Sequence, residues 1–396
     1  VLIHDEDHIM NILLRIKSRH IPPQLEELAG KEKIEKLFSM IEDQVSVNDI
    51  IASGLMKRSE ASVLLPELIK AGLLAMAYQK VETLKPVSSA SESETRGKKH
   101  SEIVLVTDST SDIPEYLAKE RDIKVIPLSI KLDEKAYLDG ADISPDEFYD
   151  LLKKSYEFPS TSPPPASEFH KLFLEHIGDK DILGIFLSRK MSKTFDTANA
   201  AKMNNYNAYL KRRIKSKKNA QNFKIELIDS RLVSMGTGLL VIEASDKIRE
   251  GWPVEKVRDH ILNMIPEMRV FFVVNTLKYL MRGGRIGKGT AVMGKLFRFR
   301  PILAMKDGAV DAVTKVRGGK KARDRVIELI KTDLGEPNVP IKAGICHADA
   351  EQWAMHMKDV VEKELNCKSM LFSHFGPTVG SHTGPGTVGI AYYKIP

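Results

Sequence analysis

The run Ile103-Val104-Leu105-Val106-Thr107-Asp108-Ser109-Thr110-Ser111-Asp112 decides how this chain is read. Its apolar and β-branched opening suits a strand buried on both faces, and the polar cluster that follows suits a loop at the strand's carboxyl end. The pattern recurs downstream. Lys124-Val125-Ile126-Pro127-Leu128-Ser129-Ile130 reads as the next strand, 182–188 as another after a helix over 168–177, and 224–230 as a further one. Strands alternating with helices imply a mainly parallel sheet covered on both faces. In such sheets ligands meet the loops at the carboxyl ends of the strands, where Asp108, Ser188 and Asp229 stand. Residues 268–391 predict a second, smaller α/β domain, with strands over 269–274, 301–305, 341–347 and 369–374 and helices over 320–332 and 350–364.

A chain of 396 residues has room for two or three domains. The segment 86–101 is rich in Pro, Ser, Glu and Lys and nearly free of apolar residues, which marks a linker. The expected domains are therefore 1–85, 102–266 and 267–396. Within 1–85, Ile34, Leu37, Phe38 and Ile41 recur at helical spacing, as do Val47, Ile50, Ile51 and Leu55. A third helix runs from Ser59 to a stop at Gly72, with Leu64, Leu65, Leu68 and Ile69 on its apolar face. That predicts a small all-α module of winged-helix-like or helix-turn-helix type. Its third helix offers only Lys57, Arg58 and Lys70 as cations beside Glu60 and Glu67, a thin surface for DNA phosphates.

The hydrophobic and charged fractions, 42% and 29%, are those of a globular protein, and no apolar run approaches the ~18 residues of a membrane span. No signal-peptide pattern is expected from an opening that contains His4, Asp5, Glu6 and Asp7, so a cytoplasmic location is expected. Cys346 and Cys367 form no CxxC pair and no zinc-type cluster, so reduced thiols and no metal are expected. A net charge of +7 allows an anionic partner, nucleic acid or a transient contact with an anionic membrane among them, although much of the excess lies in local runs such as Lys211 to Lys218.

Three loops carry the chemistry. Ser160-Thr161-Ser162 precedes three prolines, which leave few local N–H groups and free the hydroxyls for a ligand. Ser188-Arg189-Lys190-Met191-Ser192-Lys193-Thr194 follows a strand. Gly380-Ser381-His382-Thr383-Gly384-Pro385-Gly386 reads as a tight turn between Pro377-Thr378-Val379 and an apolar finish, with one histidine on it. No nucleophile elbow accompanies His382, and Gly283-Gly284-Arg285-Ile286-Gly287-Lys288-Gly289-Thr290 fails the P-loop pattern, since Gly289 follows Lys288 and Arg282 stands where a glycine is needed. Asp108 and Asp229 suit capping better than acid–base work. No catalytic residue is expected.

Taken in order, Val106–Asp112, Thr161–Pro165, Ser188–Thr194, Ile228-Asp229-Ser230 with Met235-Gly236-Thr237-Gly238, Asn275–Leu280 with Arg282–Ile286, and Gly380–Gly386 resemble the motifs of the DegV family from about residue 102 onward. The resemblance implies a two-domain α/β protein that binds a single long-chain fatty acid in a tunnel between its domains, with no cofactor and no chemistry of its own. It implies further that the protein carries or presents the carboxylate to a separate fatty acid kinase, which makes acyl phosphate for phospholipid synthesis. Ser192 matches the family serine that contacts the carboxylate, with Thr161 and His382 beside it, and Ser162, Thr194, Thr383 and Arg285 in support. The plainer readings are an N-cap for Ser192 and a histidine locked in a turn for His382. The family usually has glycine where this chain has Lys193, whose ammonium either tightens the head-group site or points to solvent. Phe169, Phe173, Phe271, Phe272, Met293 and Phe297 are candidates for the tunnel lining. The alternative is a lipid-sensing transcriptional regulator that binds DNA through the N-terminal module.

Overall fold

The structure, a computed structural model, describes residues 13–16, 34–37, 74–77, 103–216, 223–286, 299–336 and 338–395. The chain divides into two compact units, Val1–Thr95 and Arg96–Pro396. In the first, strands Leu13–Ile16 and Leu74–Ala77 pair antiparallel, and residues 34–37 are helical with Ile34 and Leu37 buried. The expected all-α module is corrected by this strand pair: Leu74–Ala77 is the run that leaves Gly72, and its backbone is satisfied by a partner strand. The second and third expected helices lie outside the described residues, as does the linker.

Among the described residues the larger unit holds three sheets. Strands Lys124–Ile126, Ile103–Asp108, Asp181–Phe186 and Ile225–Asp229 form a wholly parallel sheet in that spatial order, with the quoted run near its centre. Val104 to Asp108 are all buried, as a strand covered on both faces requires. The run 124–130 is not one strand. Pro127, which has no N–H to donate, ends the parallel pairing after Ile126, and Ser129–Leu132 enters an antiparallel sheet with Lys135–Leu138 and Ser160–Ser162. The helix Pro145–Lys154 packs nearby. It starts at Ser144, whose hydroxyl accepts the Glu147 N–H while the Glu147 carboxylate accepts the Ser144 N–H, a capping box with Pro145 in the first turn.

The second lobe is built on six strands, in the order Ala309–Arg317, Phe299–Lys306, Arg269–Val273, Val388–Lys394, Ile341–His347 and Cys367–His374. Only the last two run parallel. Ala309–Arg317, absent from the sequence prediction, pairs with Phe299–Lys306 through a turn at Asp307 and Gly308. The strand Val388–Lys394 sits in the middle of this sheet. One face packs under the helices Gly319–Leu334 and Glu351–Glu364. The other face meets the first lobe and the helix Met235–Arg249.

Candidate functional site

Between the two lobes lies a cavity whose empty space, open mouth included, is about 930 Å³. Most of its wall is apolar. Its polar lining includes Thr110, Lys193, Ser234 and Thr378 as well as Thr161, Ser192, Arg285, His382 and Thr383, and among these Thr161 bonds His382 while Arg285 bonds the loop that carries Ser192.

Thr161 is the central residue of strand Ser160–Ser162 and pairs with Ile130. Side chains alternate across a strand, so Thr161 turns inward while Ser160 and Ser162 are exposed. Ser162 therefore stands outside the cavity, contrary to its assignment beside Thr161. The Thr161 hydroxyl bonds His382 Nε2 at 2.8 Å. His382 is not on a loop. Pro377–Thr383 is a short helix, begun by Pro377 at its first position and closed by Gly384 at φ 75°, and His382 lies in its last turn. Burial, helped by the nearby Arg285 charge, pushes the imidazole down to about 4, so the ring is neutral at neutral pH. Its Nδ1 is buried without a hydrogen-bond partner. A Cβ on Gly283 would come within 2.2 Å of Nδ1, so that glycine makes the space the ring occupies.

Arg285 reaches across the cleft. Its Nε donates to the Met191 carbonyl at 3.2 Å and its Nη1 to the Gly283 carbonyl at 2.5 Å, tying the second lobe to the loop that carries Ser192. Ser192 precedes the helix Thr194–Asn204. Its hydroxyl accepts the Thr194 N–H at 3.3 Å and shares a 2.9 Å bond with the Thr194 hydroxyl. Thr194 is buried behind Ser192 and does not line the cavity. The backbone of Lys193 is the helix cap, and its ammonium turns to the surface to pair with Asp196 at 3.3 Å. Thr383 lines the wall, but its hydroxyl donates to the Val379 carbonyl one turn earlier. The base of the same loop is fixed by Ser188, whose buried hydroxyl donates to Gly308 O at 2.6 Å.

Phe272 lines the cavity as expected. Phe271, next to it in the strand, points to the opposite face and stacks on Tyr392. Phe169 and Phe173 are fully buried in the core under the parallel sheet, one layer away from the cavity. These three are corrected from lining to core. Met293 and Phe297 lie outside the described residues. Asp108 accepts the N–H groups of Thr110 and Leu187 and the Thr110 hydroxyl, and Asp229 accepts those of Arg189 and Arg231. Both hold strand-end loops in shape. Among the described residues no group of His, Cys, Asp and Glu could hold a metal ion, and no helix is long and apolar enough to cross a membrane.

A family model described as "Uncharacterised protein, DegV family" matches residues 102–394. The chain belongs to the DegV family. A DegV domain-containing protein of Clostridium perfringens is 35% identical over 293 residues, which covers 74% of this chain and 99% of that protein. Protein DegV of Bacillus subtilis is 29% identical over 292 residues, 73% of this chain and 98% of its own length. Among solved structures, a fatty-acid-binding DegV family protein from Thermus thermophilus superposes with a TM-score of 0.67 at 30% identity, over 74% of this chain and all of that one. The Bacillus subtilis DegV structure, described as a fatty acid binding protein, gives 0.62 at 28%, again over 74% of this chain and all of the other.

In this DegV chain the lobes are joined by two buried carboxylates that sequence reasoning missed. Asp112 accepts the Gly376 N–H at 2.9 Å and the Ser234 hydroxyl. Asp139 accepts the Thr378 N–H at 3.2 Å and the Ser109 hydroxyl at 2.9 Å. The first lobe thus supplies acceptors for the free N–H groups that open the helix bearing His382. Burial raises the pKa of both acids, against the hydrogen bonds that favour their charged forms. Ser234, at φ 55° and ψ −140°, holds a backbone conformation costly for an L-residue, and its bond to Asp112 helps fix it there. The sequence signal for this joint was Asp112 itself, the last residue of the opening run.

Proposed function

We propose that this chain binds one long-chain fatty acid in the cavity between lobes 102–266 and 267–396, with the carboxylate held by Thr161, Ser192 and His382 and the charge of Arg285 close by. The observation that carries this is one largely apolar cavity with Thr161, Ser192, His382 and Arg285 clustered in its wall. The likeness to fatty-acid-binding DegV structures supports it. Hydroxyls and a neutral imidazole orient a carboxylate by hydrogen bonds, and a nearby guanidinium favours its charged form. About fifteen buried methylenes at roughly 0.8 kcal/mol each offer roughly 12 kcal/mol before the costs of binding. The protein does no chemistry itself. In the cytoplasm it carries or presents the carboxylate to a separate fatty acid kinase that makes acyl phosphate for phospholipid synthesis, with transient contact with an anionic membrane during loading.

The test is mass spectrometry of ligands extracted from the purified full chain, beside Thr161→Val and Ser192→Ala. Stoichiometric fatty acid in the parent and depleted, folded variants are expected. A parent that holds no fatty acid and takes none up when it is added refutes the proposal. Full retention in both variants refutes the head-group assignment.

A further inference from the structure

The register of the second-lobe sheet locates the far end of the cavity. On the cavity face, Phe272, Gly389 and Cys346 lie in one row across three strands, and Val270, Ala391 and Gly344 in the next. Phe375 follows the strand Cys367–His374 and bonds back to His347 O, so the helix bearing His382 lies beyond the first row, and the second row is one strand repeat deeper. Gly389, Ala391 and Gly344 leave a furrow along the middle of the sheet, bordered by Phe272 and Val270 and covered over Gly389 by the Phe375 ring, which comes within 2.8 Å of where a Gly389 Cβ would stand. One repeat deeper still, Tyr393 and Lys342 fill the furrow and are held by Glu243 at 2.8 and 3.1 Å.

The start of the helix Met235–Arg249 descends onto the second row. Met235 is buried and lines the cavity. A Cβ on Gly344 would lie 2.0 Å from Met235 Cγ, so this side chain rests in the notch that Gly344 leaves. A Cβ on Gly236 would lie 2.6 Å from Val270, so the helix meets the sheet there with no room between them.

Resting on the fatty-acid proposal, we infer that Met235, seated on Gly344, is the end wall that sets the longest acyl chain this protein accepts. The ω-end of the chain lies over Ala391, between the Phe375 ring and Met235, and stops against the thioether. Methionine suits the position because its unbranched side chain re-packs around ends of different length. Filling the Gly344 notch pushes the wall toward the head group, and removing the Met235 side chain opens the furrow toward Tyr393.

The experiment uses the full chain stripped of lipid and offered an equimolar mixture of saturated C12 to C20 acids, with bound species read by native mass spectrometry. One buried methylene corresponds to about fourfold in affinity. Met235→Ala is expected to raise the C20 to C16 ratio about tenfold, and Gly344→Ala to lower the C18 to C14 ratio by a similar factor. Variants that bind acids with the parental distribution overturn the inference and leave the binding proposal standing. A parent that binds none of the acids overturns both. If Gly344→Ala does not fold, the Met235→Ala distribution decides alone.

Discussion

The neutral imidazole at the head of the cavity makes the stability of this fold depend on pH in a calculable way. His382 is held down to about 4, against about 6.5 for an unfolded histidine. As pH falls through the interval between these values, the unfolded chain takes up a proton that the folded chain refuses. Stability is therefore full above the unfolded value and drains away toward the folded one. The limiting loss is about 3 kcal/mol, and by about pH 5 roughly 2 kcal/mol of it has been lost. His347 is likewise held near 4, by burial and by the neighbouring His374, so the parent curve alone mixes two sites. The comparison with His382→Gln separates them, because glutamine keeps a polar group near Thr161 and cannot titrate. Urea unfolding of both proteins at about pH 7.5, 6 and 5 should show the parent losing about 2 kcal/mol more than the variant between the extremes. Parallel curves would mean that His382 takes up a proton as readily in the fold as in the unfolded chain, and would refute the burial that is said to keep its ring neutral.

Other perturbations follow from the joints around the cavity. Asp112→Ala strands two buried donors, the Gly376 N–H and the Ser234 hydroxyl, and should cost about 2–4 kcal/mol in denaturant midpoint, with Asp112→Asn recovering part of it. Gly386→Ala combines a φ of 80° with a Cβ placed 1.8 Å from Asn275, and should lower Tm by an amount equivalent to about 2 kcal/mol or more in calorimetry. Ser188→Ala removes the bond to Gly308 and should cost about 1–2 kcal/mol while speeding release of a bound fluorescent fatty acid. Asp108, raised to about 6 by burial, works opposite to His382: the folded state holds its proton more tightly, so its share of stability grows as pH falls from 6 toward 4 and is lost above 6. Asp108→Asn should flatten that rise.

The parallel sheet was legible because continuous apolar runs such as 103–107 and 182–187 have few other uses. Thr161, Ser192 and His382 were singled out because their hydroxyl- and glycine-rich loops resemble DegV motifs, and the structure brings all three into the wall of one cavity. What failed depended on direction. Ser162 looked equivalent to Thr161 until the pleat turned them apart, and Phe271 looked equivalent to Phe272 for the same reason. Pro377–Thr383 hid its helix behind Gly380 and two threonines, weak helix formers that burial against the first lobe overrides. The strand Ala309–Arg317 escaped because its polar alternation is that of an edge strand with one wet face. Asp112 and Asp139 gave no local hint that their partners lie in the helix Pro377–Thr383, far along the chain.

The central place of Val388–Lys394 has a consequence for how the protein is born. The parallel sheet of the first lobe is complete once Asp229 has left the ribosome, so that lobe can fold while synthesis continues. The second lobe must wait. Until Val388–Lys394 emerges, Arg269–Val273 and Ile341–His347 each present a bare edge, the kind of surface on which nascent chains stick to one another. The strand that quenches both edges also brings Gly389 and Ala391, the floor of the furrow. The sheet therefore loses both bare edges and gains the floor of the cavity in the same moment of translation, and a chain stalled before Val388 has neither advantage.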